Sequence, residues 1–390
     1  MKLLLTNDEL HEVRGGTQVF ISDLAIALQE RGHTVAVYAW LRGSVSAALE
    51  AQGVAVLESP QACAFVPEVI HGQHHLATMT ALCAFPSAPA IYHCHGYGPW
   101  QERPPRHPRI ARYVGMAEAM RHWLAVEAGR PQEDICILPN SVHLGRFRNV
   151  RQLCQRPRRA LLYGNAFIPA HHVSRIQQAC ERAGTHLDKL GAPFGNAITA
   201  PEDVLPEYDL VFAIGRSALE AMACGCAVMP CSVRGCGPII NPESLEAWGR
   251  RNFTVPGDIF PMEVKRVEKE IRSFDPGKAS EVTRRVRARY SFDGTCTQLE
   301  ALYTEVLATW TTAPPPDALA ENRAISSYLA TLGPLIKGAE GRVKQLREQA
   351  QTSRGRVAKL KLRLQEEQRR WKQLTQRMPS FLKRWWLREP

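Results

Sequence analysis

For the first three hundred or so residues of this 390-residue chain, short apolar runs alternate with amphipathic stretches. Leu3-Leu4-Leu5 has the unbroken apolar pattern of a strand buried on both faces. Arg14-Gly15-Gly16-Thr17-Gln18 comes next as a glycine loop, and Val19-Phe20, Leu24-Ala25 and Leu28 then recur at helical spacing. Glu30-Arg31-Gly32-His33 stops that helix, and Thr34-Val35-Ala36-Val37-Tyr38 reads as the next strand. The set predicts one βαβ unit with a right-handed connection. Further strands are expected at 54–57, 68–71, 90–93 and 135–138, giving a first α/β domain over 1–150. The polar, Pro-containing stretch 152–159 reads as a linker. Strands at 160–163, 209–212 and 227–229, with helical material from 278 to 310, predict a second α/β domain over 151–312. That domain is short for a doubly wound unit and is expected to lack one or two strands.

Thr311 to Asp317, with three consecutive prolines, marks a semi-rigid break, and 313–335 reads as a linker and short helix. Beyond it the period changes to seven. Ile336, Val343, Ala350, Val357, Leu364, Trp371 and Met378 form one series. Leu332, Ala339, Leu346, Ser353, Leu360, Glu367 and Leu374 form another. Two interleaved heptad series predict a basic coiled coil over 336–378 and a homo-oligomer assembled through it. Residues 379–390 mix Phe381, Trp385, Trp386 and Leu387 with Lys383, Arg384 and Arg388, a composition suited to an anionic membrane surface. A solvated oligomerisation coil is the plainer alternative for this region.

Charge has the same division. The formal net charge is +11, and between Gly341 and Pro390 fifteen Lys/Arg stand against four Asp/Glu, so the first 340 residues are formally neutral. The body therefore carries no nucleic-acid footprint, and no nucleic-acid partner is expected. No run of about 18 apolar residues occurs. The initial apolar run is too short for a signal peptide. Eleven cysteines, odd in number and scattered, favour a reducing compartment and a cytoplasmic protein, with peripheral attachment to the inner face of the membrane through the tail.

Two strand-to-helix junctions carry the candidate chemistry. At Gly15-Gly16, backbone amides at a helix start suit a diphosphate, though two adjacent glycines are as often a tight turn. At the second, strand 209–213 leads through Gly215-Arg216-Ser217 into Ala218-Leu219-Glu220-Ala221-Met222. Here a cation stands beside helix-start amides, with a carboxylate one turn in. The competing structural reading is equally specific: Ser217-x-x-Glu220 is a capping box. His95, in His93-Cys94-His95-Gly96, is either a strand-end histidine satisfied by hydrogen bonds or a catalytic group. The cysteines at 224, 226, 231 and 236 lack paired zinc knuckles and read as small buried thiols. His71-Gly72-Gln73-His74-His75 lacks helical ligand spacing, so no metal is expected at either place.

Taken together, Gly215 to Val228 resembles the donor-binding signature of family-4 (group 1) retaining glycosyltransferases, which have the GT-B fold. Arg14 to Phe20 with Arg31-Gly32-His33-Thr34-Val35 is similar to that family's opening βαβ unit. Pro139-Asn140-Ser141-Val142-His143-Leu144-Gly145-Arg146-Phe147 resembles its interdomain element. The resemblance spans about residues 1–310. It implies an α/β chain of two Rossmann-like domains (GT-B) plus a C-terminal helical coiled-coil extension. It further implies transfer of a sugar, with retention and without metal, from a nucleotide-diphosphate donor to a glycan or lipid-linked acceptor, in surface polysaccharide or glycoconjugate synthesis. The nucleotide sugar is a co-substrate, and no cofactor is expected.

Carried over residue by residue, Gly15 and Gly16 would face donor phosphates or acceptor. Gly215, Arg216, Ser217, Ala218 and Leu219 would hold the diphosphate, Glu220 the ribose, and His95 would stand near the transferred sugar. Two departures are plain. Phe212 occupies the place of the first glutamate of the E-x7-E pair, eight residues before Glu220. The Arg and Lys that usually come after the first strand of the second domain have no counterpart. Leu161-Leu162-Tyr163-Gly164-Asn165 leads instead to His171-His172 and Arg175, leaving Arg216 to supply positive charge at a departing diphosphate. A catalytically silent GT-B scaffold and a nucleotide-sugar epimerase of the same fold are the alternatives.

Overall fold

The computed structural model describes residues 1–11, 15–165, 168–257, 260–312, 317–352 and 357–376. Arg14 and the segment 379–390 lie outside them. The chain forms two compact units: Met1–Tyr113 with Val126–Arg130 and the residues from Tyr303 onward, and Val114–Ala125 with Pro131–Leu302.

The first unit contains β1 (Lys2–Thr6), β2 (Glu9–Leu10), α1 (Gly16–Glu30), β3 (Thr34–Tyr38), β4 (Leu41–Arg42) and α2 (Ser44–Glu50). It continues with β5 (Ala55–Leu57), β6 (Val69–Gly72), α3 (His75–Ala84), β7 (Ala90–Cys94) and most of β8 (Ile110–Gly115). Its strands run in the order β5-β3-β1-β6-β7-β8. Leu3, Leu4 and Leu5 lie beside Val35, Ala36 and Val37 on one side and beside Val69, Ile70 and His71 on the other, all parallel. A strand paired on both sides and covered on both faces has no solvent-facing position, which is why its sequence does not alternate.

Strand β8 continues covalently into the second unit. Next come α4 (Arg121–Ala128, shared with the first unit) and β9 (Ile135–Ile137), after which Leu138 donates its amide to the Gly115 carbonyl at 2.9 Å. The second sheet is built from β10 (Arg159–Tyr163), α5 (Ala170–Ala183), β11 (His186–Leu190), α6 (Pro201–Val204), β12 (Leu210–Ala213), α7 (Gly215–Ala223), β13 (Ala227–Ser232) and β14 (Gly235–Cys236). Its order is β11-β10-β12-β13-β14, parallel except for the β13–β14 hairpin. The shortened sheet expected for this domain is therefore present, with a two-residue antiparallel edge. Helices α8 (Leu245–Gly249), α9 (Val264–Arg272), α10 (Pro276–Arg289) and α11 (Phe292–Thr312) complete this part of the chain.

Two cores flank the sheet. Val211 and Ala213 of β12 pack with Leu219, Met222 and Val286 on one face. Leu210 and Phe212 pack with Ile176, Val267 and Ile271 on the other. Val142 and Phe147 are fully buried in the first of these cores. Residues 131–150 thus belong with the second unit, and the division expected at residue 150 falls earlier in the chain.

The extension also departs from expectation. A single helix, α12 (Ala318–Thr352), runs through Pro334, with no break near residue 335. It docks on the first unit: Glu321 pairs with the buried Arg109 at 3.1 Å, and the Tyr328 hydroxyl meets His75 Nδ1 at 2.6 Å. Leu332 and Ile336 close over Leu76. Helix α13 (Val357–Gln376) folds back along it, since Arg342 pairs with Glu367 while Trp371 packs on the Leu332–Ile336 cluster. Leu332, Ile336, Ala339 and Val343, the apolar seam expected to join copies of the chain, are buried within one chain. An apolar stripe needs only an apolar partner, and α3 and α13 provide one.

Candidate functional site

The second unit places a small pocket of about 140 Å³ at the carboxyl ends of β10 and β12, lined by Tyr163, Gly164, Asn165, Ile168, Phe194, Ile214, Arg216 and Ser217. Open α/β sheets offer ligand sites at this edge. Helix α7 begins at Gly215, earlier than the sequence implies, and no side chain caps it; Ile214 is the cap residue. Ser217 therefore lies inside the first turn, so the capping box is not formed. The earlier start places Arg216 one turn before Glu220, and the two form an ion pair at 2.9 Å. The Tyr163 hydroxyl donates to the other Glu220 oxygen at 3.1 Å. Burial, with the Glu220 carboxylate beside it, pushes the Tyr163 phenol far above its ordinary range.

The element that resembles the interdomain signature reaches this helix start through one residue. Asn140 donates to the Asn252 side-chain oxygen at 2.8 Å, and the Asn252 carbonyl accepts the Gly215 amide at 3.1 Å. Phe212 points into the core between the sheet and α5, away from the pocket. The missing first glutamate is thus a core position in this chain. Arg175 lies on α5 and donates to the Met262 carbonyl. Cys224, Cys226, Cys231 and Cys236 are buried free thiols.

In the first unit, His95 stands just after β7 at the same edge of its sheet. Its ring stacks on His93 at 4.3 Å between centroids, and the Phe20 ring of α1 lies 4.9 Å from both. Burial, with His95 nearby, pushes His71 down to about 3 and lowers His93 as well. The five-residue histidine run does not converge: His71 meets the Tyr303 hydroxyl at 2.6 Å, His75 meets Tyr328, and His74 stands between Asp8 and Glu102. The side-chain amides of Asn7 and Gln73, fully buried at the ends of β1 and β6, have no hydrogen-bond partner among the described residues. Water or a hydroxylated ligand satisfies groups of this kind. Gly15 caps α1 with φ −75°, and a Cβ at Gly15 or Gly16 would meet nothing within 4 Å. Neither glycine has a positive φ, so no left-handed backbone demands glycine at these two positions.

No family model matches the chain, and no curated protein matches it. Solved structures do. A glycosyltransferase from Rickettsia africae ESF-5 aligns with a TM-score of 0.58 at 12% identity, over 78% of this chain and 98% of that one. HepE of Anabaena, in complex with UDP and glucose, aligns with a TM-score of 0.55 at 14% identity, over 78% and 100%. The fold is GT-B. A Listeria monocytogenes protein assigned as a UDP-N-acetylglucosamine 2-epimerase shares it, with a TM-score of 0.50 at 13% identity over 81% and 98%.

Of the site residues expected from sequence, the structure brings Gly215, Arg216, Ser217 and Glu220 to one strand edge. Ala218 and Leu219 face the core behind them. Tyr163, Asn165, Phe194 and Asn252 were not singled out. The first three sit at or after strand ends, where the βα rule could have found them. Asn252 lies in a helix-to-loop turn with no pattern of its own. In the first unit, sequence reasoning singled out His95 but not Glu102, whose carboxylate accepts the His95 backbone N–H, nor the meeting of Glu102 and Asp8 at His74.

Proposed function

We propose that the protein is a glycosyltransferase that binds a nucleotide-diphosphate sugar in the α7 pocket and transfers the sugar, with retention, to a glycan or lipid-linked acceptor. The observation that supports it is the grouping of Arg216, Ser217, Glu220 and Tyr163 around an uncapped helix start in a GT-B chain. Uncapped amides and a guanidinium favour a diphosphate, and a carboxylate favours ribose hydroxyls. In this reading the Arg216–Glu220 pair exchanges partners: the guanidinium turns to the diphosphate and the carboxylate to the ribose. Arg216 then stabilises the charge of the leaving nucleotide, which needs no metal. Ile168 and Phe194 offer the apolar wall for the base, and HepE, of the same fold, holds UDP. On the acceptor side, the Gly15–Gly16 helix start and His95 would face the incoming hydroxyl. The basic C-terminal segment would hold the enzyme at an anionic membrane surface, in surface polysaccharide or glycoconjugate synthesis.

The test is calorimetry against UDP-, GDP-, ADP- and dTDP-sugars with the full chain and with Glu220→Ala. One donor class should bind. The variant should bind it about 10- to 100-fold more weakly, the range for a hydrogen bond to a charged group. Equal affinity of both proteins would remove Glu220 from the site, and no binding of any donor would favour a silent scaffold. The epimerase reading, motivated by the Listeria neighbour, predicts epimerised nucleotide sugar in reactions without acceptor.

A further inference from the structure

The turn between β6 and α3 carries a histidine for which donor binding has no use. His74 has φ +57° and ψ +120°, a backbone conformation that residues with a Cβ rarely adopt. It is 3% exposed, and its ring lies between two buried carboxylates from different elements. Nδ1 is 3.5 Å from Asp8 Oδ2, just after β1, and Nε2 is 3.6 Å from Glu102 Oε1, at the end of the 3-10 turn Trp100–Glu102. Strained backbone of this kind persists only where surrounding groups over-determine it. Here two ion pairs and complete burial do so. Glu102 also faces the candidate catalytic segment: its Oε2 accepts the His95 backbone N–H at 2.7 Å, and its carbonyl accepts the Cys94 thiol at 3.3 Å.

We propose that His74 is a positioning residue: as an imidazolium clamped between Asp8 and Glu102, it fixes the Glu102 carboxylate that in turn sets the backbone of His95. What His95 does rests on the glycosyltransferase reading; the clamp does not. Two carboxylates buried this close to one ring repel each other unless a cation stands between them. Among the described residues, the other titratable groups facing them are Tyr38 of β3, Tyr92 and Cys94 of β7, and His95. Burial pushes Tyr38, Tyr92 and Cys94 far up, so they stay neutral and add no charge. Burial opposes charge on His74 too, but Asp8 and Glu102 outweigh it and push the ring up to about 9. Burial would raise Glu102, but hydrogen bonding to His74 and the charge of His95 hold it below the ordinary carboxylate value. The folded value of His74 lies above its ordinary value of about 6.5, so the clamp is complete below that pH and is lost as pH rises through about 9. The Asp8 backbone N–H already points at Nδ1 from 3.3 Å, so the neutral ring keeps an acceptor role there while the charge that ties Asp8 to Glu102 is gone.

The experiment is a pH titration, from about 6 to 10, of the full chain carrying ¹⁵N-labelled histidine, with His74→Gln to assign the signal. His74 should titrate near 9, and the His95 ring resonances should shift over the same range. In His74→Gln the His95 transition should vanish, and in Glu102→Gln the His74 midpoint should fall by about one unit. With donor and acceptor in hand, wild-type kcat should fall about tenfold per unit above the midpoint with donor KM little changed. His74→Gln should show low kcat without that alkaline limb. A His74 midpoint below about 7, or His95 resonances blind to it, overturns the clamp whatever the activity. A clamp seen by resonance in a protein that transfers no sugar refutes the glycosyltransferase reading and leaves the clamp standing.

Discussion

Arg216 and Glu220 stand one helical turn apart, and pairing within α7 joins the buried Glu220 carboxylate to a guanidinium that lines the pocket with Ile168, Phe194 and Ile214. Neither would be comfortable there alone, because removing one member of a largely buried pair leaves the other uncompensated. Gly191 shows a different kind of constraint. Its φ is +137°, and a Cβ would lie 2.0 Å from the Gly164 carbonyl oxygen, where β11 hands over to the loop carrying Phe194. Asn165 and Asn196 fasten the same loop by accepting the Ala192 and Gly191 amides at 3.0 Å. Gly191→Ala should therefore cost about 3 kcal/mol in urea unfolding and weaken donor binding by moving Phe194. A variant as stable as wild type would show that the loop has another way to lie. The Gly15–Gly16 pair makes the contrast: open space surrounds both, so an alanine there should leave stability within about 0.5–1 kcal/mol. From sequence these glycines look alike; only the neighbour across the strand edge separates them.

At the scale of elements, the periodicities were legible and their partners were not. The period of seven beyond residue 330 describes real helices with a real apolar stripe. That stripe closes on Leu76 and Trp371 of the same chain. Heptad spacing reports which face is apolar and carries no information about what covers it. The docking of α12 has a polar component as well. Arg109, 1% exposed, donates to the carbonyls of Leu82, Phe85 and Ala88 and pairs with Glu321. Glu321→Ala leaves a buried guanidinium one partner short, and it should destabilise by about 3 kcal/mol. Hydrogen exchange should quicken first in α12. Unchanged protection of α12 in this variant would mean that Leu332 and Ile336 alone hold the helix. In the same way the strand 209–213 was legible, yet the side on which Phe212 falls was not. Alternation along β12 sends it to the core against α5, while Ile214, Arg216 and Ser217, just past the strand end, form the pocket wall.

At the scale of the molecule, a formally neutral body of 340 residues carries a C-terminal fifty with all of the net positive charge. No described helix is long and apolar enough to cross a membrane. The charge segregation predicts binding to vesicles containing anionic lipid, falling at least tenfold as salt rises from about 0.05 to 0.5 M. Replacing Phe381, Trp385, Trp386 and Leu387 by serine should abolish it. A truncation must end after Gln376, because cutting before α12 would uncover Leu76 and His75. Undiminished binding after that truncation would take the membrane role away from the last fourteen residues.

The sequence by itself determined the two parallel α/β sheets, the strand-to-helix junctions at Gly15–Gly16 and Gly215, and the charge of the tail. Each is written locally, in runs, spacings and counts. Tertiary structure alone decided where α7 starts, that Arg216 pairs with Glu220, that the heptad stripe is filled from within, and that Asp8, His74 and Glu102 meet. Those facts join residues from elements far apart in the chain, or hang on a helix beginning three residues sooner, and no local pattern encodes either.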